Sequence, residues 1–387
     1  MAKSLNAFLS LNDFDAAARV LLPKPLYAYV RGAVEDEVSY SSNFYSFRRY
    51  DLLPSALVDV SRVNMKTTLF DKEYSAPVGV APMGIAAITS YRGDITLAQA
   101  AAAAAVPCIM SGSSLIRLEE VMEAAPTTWF QAYLPGDAAQ IDALIDRIIA
   151  AKVETLVLTV DTPVAANREN NVRAGFSTPL RPSLRLAYEG VTHPTWLINT
   201  FFKTLLRHGM PHFENNYATR GAPIMSANVL RDFSDRGHLN WEHVSKIRAR
   251  WKGPLIIKGI LNPKDAIKAH NIGADGIIVS NHGGRQLDGS VAPLAILPRI
   301  MDATPALVVM LDSGVRRGTD VIKAMALGAK AVFVGRPFNY AATVAGEAGV
   351  AHAIKLITEE VKRDLGLLGV PQLSALNGDV LIDRHLP

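Results

Sequence analysis

A single cysteine stands among 387 residues, so no disulfide can form within the chain. Cys108 lies in an apolar run, a usage that points to a reducing compartment. Neither sign of charge dominates. Forty basic residues against 36 acidic ones leave +4, and the basic residues are scattered. That scatter argues against a nucleic-acid partner. The alanine-rich run 98–106 is too short to span a bilayer, which takes about 20 apolar residues. The N-terminus lacks the basic-then-apolar order of a secretory signal, so a cytoplasmic location is expected. No Gly-x-Gly-x-x-Gly follows the first strand-like run, which argues against a nicotinamide-binding doubly wound sheet. No metal site is assigned.

What is present is a rhythm. Apolar residues make up 49% of the chain, enough for a large core. From residue 77 short β-branched runs alternate with helix-length segments. The runs 78–81, 108–111, 128–133, 156–159, 255–258, 276–280, 307–312 and 331–334 read as strands. Segments 94–105, 138–151, 263–271 and 318–327 carry helical periodicity between them. Strict alternation implies a parallel sheet, and eight units imply an α/β fold of the TIM-barrel kind, a (β/α)8 barrel. The expected organisation is one domain over 1–387. It comprises an N-terminal helical extension 1–76, a barrel 77–340 carrying a long insertion 164–240 after strand 4, and a closing helix and tail 341–387.

A barrel places its chemistry where strands end. Here the strand ends are small, polar or charged. Ala81-Pro82-Met83-Gly84 follows the first, Ser111-Gly112-Ser113 the second, and Gln131 and Tyr133 share one face of the third. Thr159-Val160-Asp161 closes the fourth and Lys258-Gly259 the fifth. The sixth runs into Ser280-Asn281-His282-Gly283-Gly284-Arg285-Gln286-Leu287-Asp288. That stretch delivers a near-neutral proton acceptor beside a planar carboxylate-gripping fork, on glycines that permit tight turns. The seventh and eighth end in Asp312-Ser313-Gly314 and Gly335-Arg336. Small residues and a guanidinium there suit a phosphate, which barrels often bind at these loops. Arg316, Arg317 and Arg336 have a plainer reading as salt-bridge partners. It suits Arg317 best, whereas Arg336, set between Gly and Pro, reads as phosphate-binding.

The nine residues 280–288 resemble the active-site signature of the FMN-dependent 2-hydroxy-acid dehydrogenases and oxidases. That family includes lactate and mandelate dehydrogenases, glycolate oxidase, lactate oxidase and lactate monooxygenase. The resemblance implies FMN held by Ala81, Pro82, Met83, Ser111, Gln131, Thr159, Lys258, Ser280, Asp312, Ser313, Gly314, Arg316, Gly335 and Arg336. It implies Lys258 near the flavin's N1 and O2 edge, where a cation stabilises the reduced anion. His282 is then the base and Asp161 its partner. Arg285, Arg168 and Tyr29 bind the substrate carboxylate, and Tyr133 bonds the hydroxyl. Tyr29 maps by its place before Gly32-Ala33-Val34-Glu35-Asp36, where Val34 is extra relative to the family. Ser313 replaces a usual glycine, as it does in some relatives.

The implied reaction is oxidation of an (S)-2-hydroxy acid, lactate- or mandelate-like, to the 2-keto acid. Ser113 stands where glycolate oxidase has a bulky aromatic, which implies a roomier pocket. Gly84 stands where many oxidases have alanine, and by resemblance glycine there fits the dehydrogenases and lactate monooxygenase; the expected acceptor is quinone or another electron carrier. Use of O2, as in the oxidases and the monooxygenase, is the alternative. Other phosphate-binding barrels, such as flavin-dependent isomerases, lack the His282 and Arg285 pair. A non-catalytic barrel has no need of it. The long insertion exceeds an ordinary βα connection. Its apolar stretch 195–207 reads as a helix with basic residues toward its end. It packs over the site or a neighbouring subunit, or lies peripherally on an inner-membrane surface. The family commonly forms tetramers, so a homo-oligomer is expected.

Overall fold

The computed structural model describes residues 4–177, 183–226 and 236–384. Eight strands form one parallel sheet: β1 Val78–Val80, β2 Ile109–Ser111, β3 Trp129–Ala132, β4 Leu156–Thr159, β5 Leu255–Ile260, β6 Gly276–Val279, β7 Val308–Asp312 and β8 Val332–Val334. Each neighbours the next in sequence, and β8 pairs with β1. A parallel bridge from Val80 to Cys108 joins β1 to the start of β2 and closes the ring. The barrel expected from the alternation is the fold observed, and the eight strand positions match within a few residues.

The pleat explains the interior. Side chains two apart on a strand face the same way. Ile109, Trp129, Val157, Ile256, Ile278 and Met310 form one buried apolar cluster inside the ring. Two residues onward on each strand come Ser111, Gln131, Thr159, Lys258, Ser280 and Asp312, all buried. The barrel is therefore greasy below and polar at its C-terminal mouth. At the opposite end the hairpin Thr67–Leu69 and Lys72–Tyr74 plugs the ring, with the Trp129 indole N–H donating to Tyr74 Oη at 3.2 Å. Burying the outer faces of the strands against the helices supplies the larger apolar core.

The extension places three helices, Leu11–Leu21, Lys24–Arg31 and Val38–Tyr45. Ser10 precedes the first, and the Asp13 carboxylate accepts from the Ser10 N–H at 2.9 Å. A short strand, Tyr50–Leu52, pairs antiparallel with Leu381–Asp383 of the tail. The Arg49–Asp383 and Arg384–Asp51 ion pairs fasten this contact. The tail therefore packs on its own chain. The closing helix, Arg336–Leu368, starts at Arg336 and bends at Ala345 and Gly346.

The insertion after β4 is partly helical where described. Leu184–Thr192 forms one helix. Residues 194–208 form a continuous helical segment with a π-helical turn over Leu197–Phe202. The Trp196 indole N–H donates to Ile88 O at 2.7 Å and ties the segment to the barrel. No described helix is long and apolar enough to cross a membrane.

Candidate active site

The mouth is built from the strand ends upward. Strand β5 carries a register irregularity between Lys258 and Ile260, where Gly259 has φ +101°. A Cβ there would stand 2.6 Å from the Asp161 Cβ, so only glycine lets β5 come this close. After β6, His282 adopts φ +57°, a strained conformation for a residue with a side chain. Its N–H donates to Ser280 Oγ at 3.0 Å. Gly284 has φ +73°, and a Cβ there would meet the Tyr40 backbone at 2.6 Å. The loop is thereby clamped against the N-terminal extension.

His282 Nδ1 lies 2.9 Å from Asp161 Oδ1. The ring's other nitrogen has no hydrogen bond to a described residue. Burial disfavours the imidazolium and, with Lys258 and Arg168 nearby, outweighs the pull of Asp161, so the His282 pKa falls below its ordinary value. The ring is neutral and able to accept a proton at neutral pH. Burial alone would raise Asp161, but His282 and Lys258 together hold it below the usual carboxylate value. Burial pulls Lys258 down, but Asp312 at 3.1 Å and Asp161 keep it above a free lysine. Lys258 also donates to Ser280 Oγ at 2.9 Å.

Guanidinium groups converge on the rim. Arg285 donates to Gly32 O at 2.6 Å and lies over the Tyr29 ring, 5.2 Å from its centre. Arg336 donates to the carbonyls of Val30, Gly32 and Gly283. Arg168 donates to Arg285 O and to Gln286 Oε1. Arg285, Arg316 and Arg336 make no ion pair with a carboxylate among the described residues, whereas Arg317 pairs with Glu360 at 2.9 Å. Burial and the neighbouring Arg168 and Arg336 push the Arg285 pKa well below its ordinary value. Such an excess of positive charge calls for anions.

Of the residues singled out from sequence, Tyr29, Tyr133, Arg168, Lys258, His282 and Arg285 line one cavity. The same cavity is walled by Ala81, Pro82 and Met83 on one side, and by Thr159, Asp312, Ser313, Gly314, Arg316, Gly335 and Arg336 on the other. Ser111, Gln131, Asp161 and Ser280 stand behind this wall. Ser111 Oγ donates to Gln131 Oε1 at 3.1 Å. Ser313, at φ +75°, accepts from the Gly283 N–H at 3.0 Å and donates to Asp312 Oδ1 at 2.8 Å.

Sequence reasoning passed over four contributors. Gln286 Nε2 donates to Asp161 O at 3.0 Å while its oxygen accepts from Arg168, so it links Asp161 to the rim. Asp288 accepts from the Val38 and Ser39 N–H groups and latches the loop to the extension. Asn43 and Asn281 exchange paired amide hydrogen bonds at 2.9 and 2.7 Å. Gln286, Asn281 and Asp288 stood inside the quoted nine-residue stretch without a role. Asn43 carried no local signal.

A larger cavity, ≈ 510 Å³, lies away from the strand ends. Its charged side chains are mostly paired with one another, as in Arg147–Glu119 and Arg92–Glu120. The mouth, with its unpaired cations and activated histidine, is the better seat for chemistry.

Three polar atoms at the mouth lack partners among the described residues, Asp161 Oδ2 being one. Gln131 Nε2 and Thr159 Oγ1 are buried with no hydrogen bond among the described residues. Buried groups of this kind are normally satisfied. A flat ligand with ring carbonyls and nitrogens would supply what Gln131 and Thr159 lack. A phosphate supplies what Arg316 and Arg336 lack. The residues present thus fit FMN.

Comparison with known proteins gives the same answer. Residues 18–383 match the family model described as FMN-dependent dehydrogenase. The chain is 38% identical over 378 residues to an L-lactate dehydrogenase of Azorhizobium caulinodans, covering 96% of this chain and 98% of that one. It is 38% identical over 383 residues to an L-lactate dehydrogenase of Caulobacter vibrioides, covering 97% and 98%. Among solved structures it resembles the monotopic membrane protein (S)-mandelate dehydrogenase, with TM-score 0.88, 31% identity and coverage of 97% and 100%. It also resembles a mandelate oxidase variant, with TM-score 0.79, 31% identity and coverage of 95% and 97%.

Proposed function

The chain belongs to the FMN-dependent dehydrogenase family, and we propose that its mouth residues oxidise an (S)-2-hydroxy acid of lactate or mandelate size and pass the electrons to a membrane quinone. The observation that carries the reading is the His282–Asp161 pair beside converging guanidinium groups. FMN, when bound, supplies the two-electron acceptor. It would be held by the wall of Ala81–Met83, the polar layer of Gln131, Thr159 and Lys258, and the loops at Ser313, Gly314 and Arg336.

The substrate loses one hydrogen from its α-carbon and one from its hydroxyl, and leaves as the 2-keto acid. Arg285, Arg168 and Tyr29 hold its carboxylate. Tyr133 bonds the hydroxyl and fixes its direction. His282 Nε2 takes the proton, and Asp161 stabilises the imidazolium so formed. Lys258 would hold a positive charge beside the bound cofactor. Ser113, buried and small, leaves room beside the mouth for a methyl or larger substituent.

Two helices of the insertion support a bilayer as the place of acceptor reduction. Leu184, Tyr188 and Val191 repeat at i, i+4 and i+7, and Ile198, Phe202 and Leu206 at i, i+4 and i+8. All six are exposed, Leu184 at 93% and Leu206 at 86%. Exposed apolar stripes on adjacent helices, with Lys203 and Arg207 beside them, are what an interfacial segment presents. Purified yellow protein mixed anaerobically with (S)-lactate, then with (S)-mandelate, tests the chemistry by bleaching of the flavin band. Absence of bleaching with both would refute the substrate class. Slow colour return in air and fast return with a soluble quinone would support the acceptor, and the reverse order would refute it.

A further inference from the structure

The inner face of the membrane-facing helix bounds a second apolar space. While Ile198, Phe202 and Leu206 point outward, Leu197, Phe201 and Leu205 turn toward the barrel. There they enclose a cavity of ≈ 280 Å³ with Leu26, Ile88 and Trp196, and almost no polar surface lines it. A space of this size and character suits a hydrocarbon chain. It borders the ≈ 510 Å³ charged chamber, and the two share Ala87, Thr204, Met210 and Pro211. At that junction Thr204 Oγ1 is buried with no hydrogen-bond partner among the described residues.

The chamber carries surplus positive charge. Arg92, Arg117, Arg147 and Arg220 face Glu119, Glu120 and Glu214, which leaves one cation over. Burial and Arg92 hold the His208 pKa below its ordinary value, so His208 adds no charge at neutral pH. Glu119 is fully engaged by Arg147 at 2.8 and 2.9 Å, and Arg117 reaches it only at 3.5 Å. Arg117 is therefore the least compensated cation, and it is largely exposed.

We propose that the two adjoining cavities form a binding site for one anionic phospholipid, its acyl chain in the space behind Leu197, Phe201 and Leu205 and its phosphate in the chamber beside Arg117. The inference rests on the reading that the insertion meets a bilayer, because that surface delivers the lipid. Charge complementarity selects the anionic head, and the apolar stripes place the cavity next to the leaflet. A bound lipid would anchor the 194–208 segment without any part of it crossing the membrane.

The test uses FMN-loaded full chain and a lysophospholipid below its micellar concentration, so that no bilayer is present. Brominated-chain lysophosphatidylglycerol should quench the Trp196 emission saturably, with one lipid per chain by native mass spectrometry. Trp196→Phe should remove that quench. Lysophosphatidylcholine should bind about fivefold more weakly, and Arg117→Gln should lower the phosphatidylglycerol affinity by a similar factor. Leu205→Trp should fill the cavity and abolish binding while leaving flavin content and bleaching by substrate intact. If that variant fails to fold, Arg117→Gln, a surface change, decides alone. Equal affinity for the two heads, or uptake of many lipids without saturation, would overturn the proposal, as would a long-chain quinone displacing the lipid from the same site. Co-sedimentation with phosphatidylglycerol vesicles separates the two readings. Sedimentation without lysolipid binding refutes the site and spares the docking, and the opposite pattern refutes the docking.

Discussion

Replacing Asp161 by asparagine isolates the step in which His282 becomes charged. In the resting protein the histidine is neutral, and the 2.9 Å contact is a hydrogen bond to a carboxylate. Once the ring takes the substrate proton, the contact becomes an ion pair whose side chains are only 19% and 12% exposed. Leaving a buried charge without its partner costs about 3–5 kcal/mol. At about 1.4 kcal/mol per decade this corresponds to roughly 10²–10⁴ in rate. Partial solvent access places the expected loss toward the lower end, a hundred- to thousandfold. Substrate affinity should change little if, as proposed, Arg285, Arg168 and Tyr29 hold the carboxylate. FMN content should also hold, because Asp161 stands behind the mouth and Asp312 still pairs with Lys258. The assay is stopped-flow bleaching of the flavin band by (S)-lactate or (S)-mandelate under nitrogen. A loss of less than about threefold at saturating substrate would refute the claim that Asp161 stabilises the protonated ring.

Other expectations follow from the same contacts. The acid limb of kcat/KM should lie below pH 6.5, because burial lowers the His282 pKa and the active form is the neutral one; in Asp161→Asn it should move lower still, and an acid limb above pH 7 in the wild type would contradict the assignment. Ser313→Ala keeps the left-handed backbone strain and loses two hydrogen bonds, whereas Ser313→Gly relieves about 1 kcal/mol of that strain. Thermal midpoints should therefore fall in the order wild type, glycine, alanine, and a glycine variant less stable than the alanine one would refute the account. Asp94, buried in the first turn of the helix Gly93–Ala103, has its carboxyl pushed up to about 7 by burial. A raised pKa means stability lost as pH rises from the ordinary value of 3.8 to about 7, so Asp94→Asn should stabilise the protein by up to a few kcal/mol more at pH 8 than at pH 3.5; equal effects at both values would exclude the mechanism.

How much of this was legible beforehand depended on whether a residue's neighbour was also its neighbour along the strand. The mouth was legible because β-structure has period two. An apolar Ile256 inside the ring dictates that Lys258 is inside too, and the same holds for Met310 and Asp312 or Ile278 and Ser280. The strand ends could therefore be assigned before any coordinates. Residues that work across the chain had no such rule. Arg336 reads locally as a phosphate ligand between a glycine and a proline, yet three backbone carbonyls, two of them some 300 residues away, fix its guanidinium. Asn43 is an ordinary helical asparagine until it meets Asn281. Asp94 reads as a favourable first-turn acid, and only packing reveals that its carboxyl is buried.

The insertion shows the same principle from the other side. Its apolar residues at 197, 201 and 205 and at 198, 202 and 206 lie one position apart in sequence, so composition alone gives a uniformly apolar helix. The fold divides them. One set faces the cavity beneath, and the other faces outward with nothing from the described chain to cover it. Covering that outer face is favoured by the hydrophobic effect, since its three large side chains, and Leu184, Tyr188 and Val191 on the helix before it, would each forfeit about 1–3 kcal/mol of possible burial if left in water. A lipid surface provides that cover over both helices at once. Vesicle binding should therefore weaken steeply in a variant with Ile198, Phe202 and Leu206 all changed to serine, while bleaching by substrate in solution stays at the wild-type rate. Unchanged vesicle binding in that variant would mean that the stripes serve a contact other than the membrane.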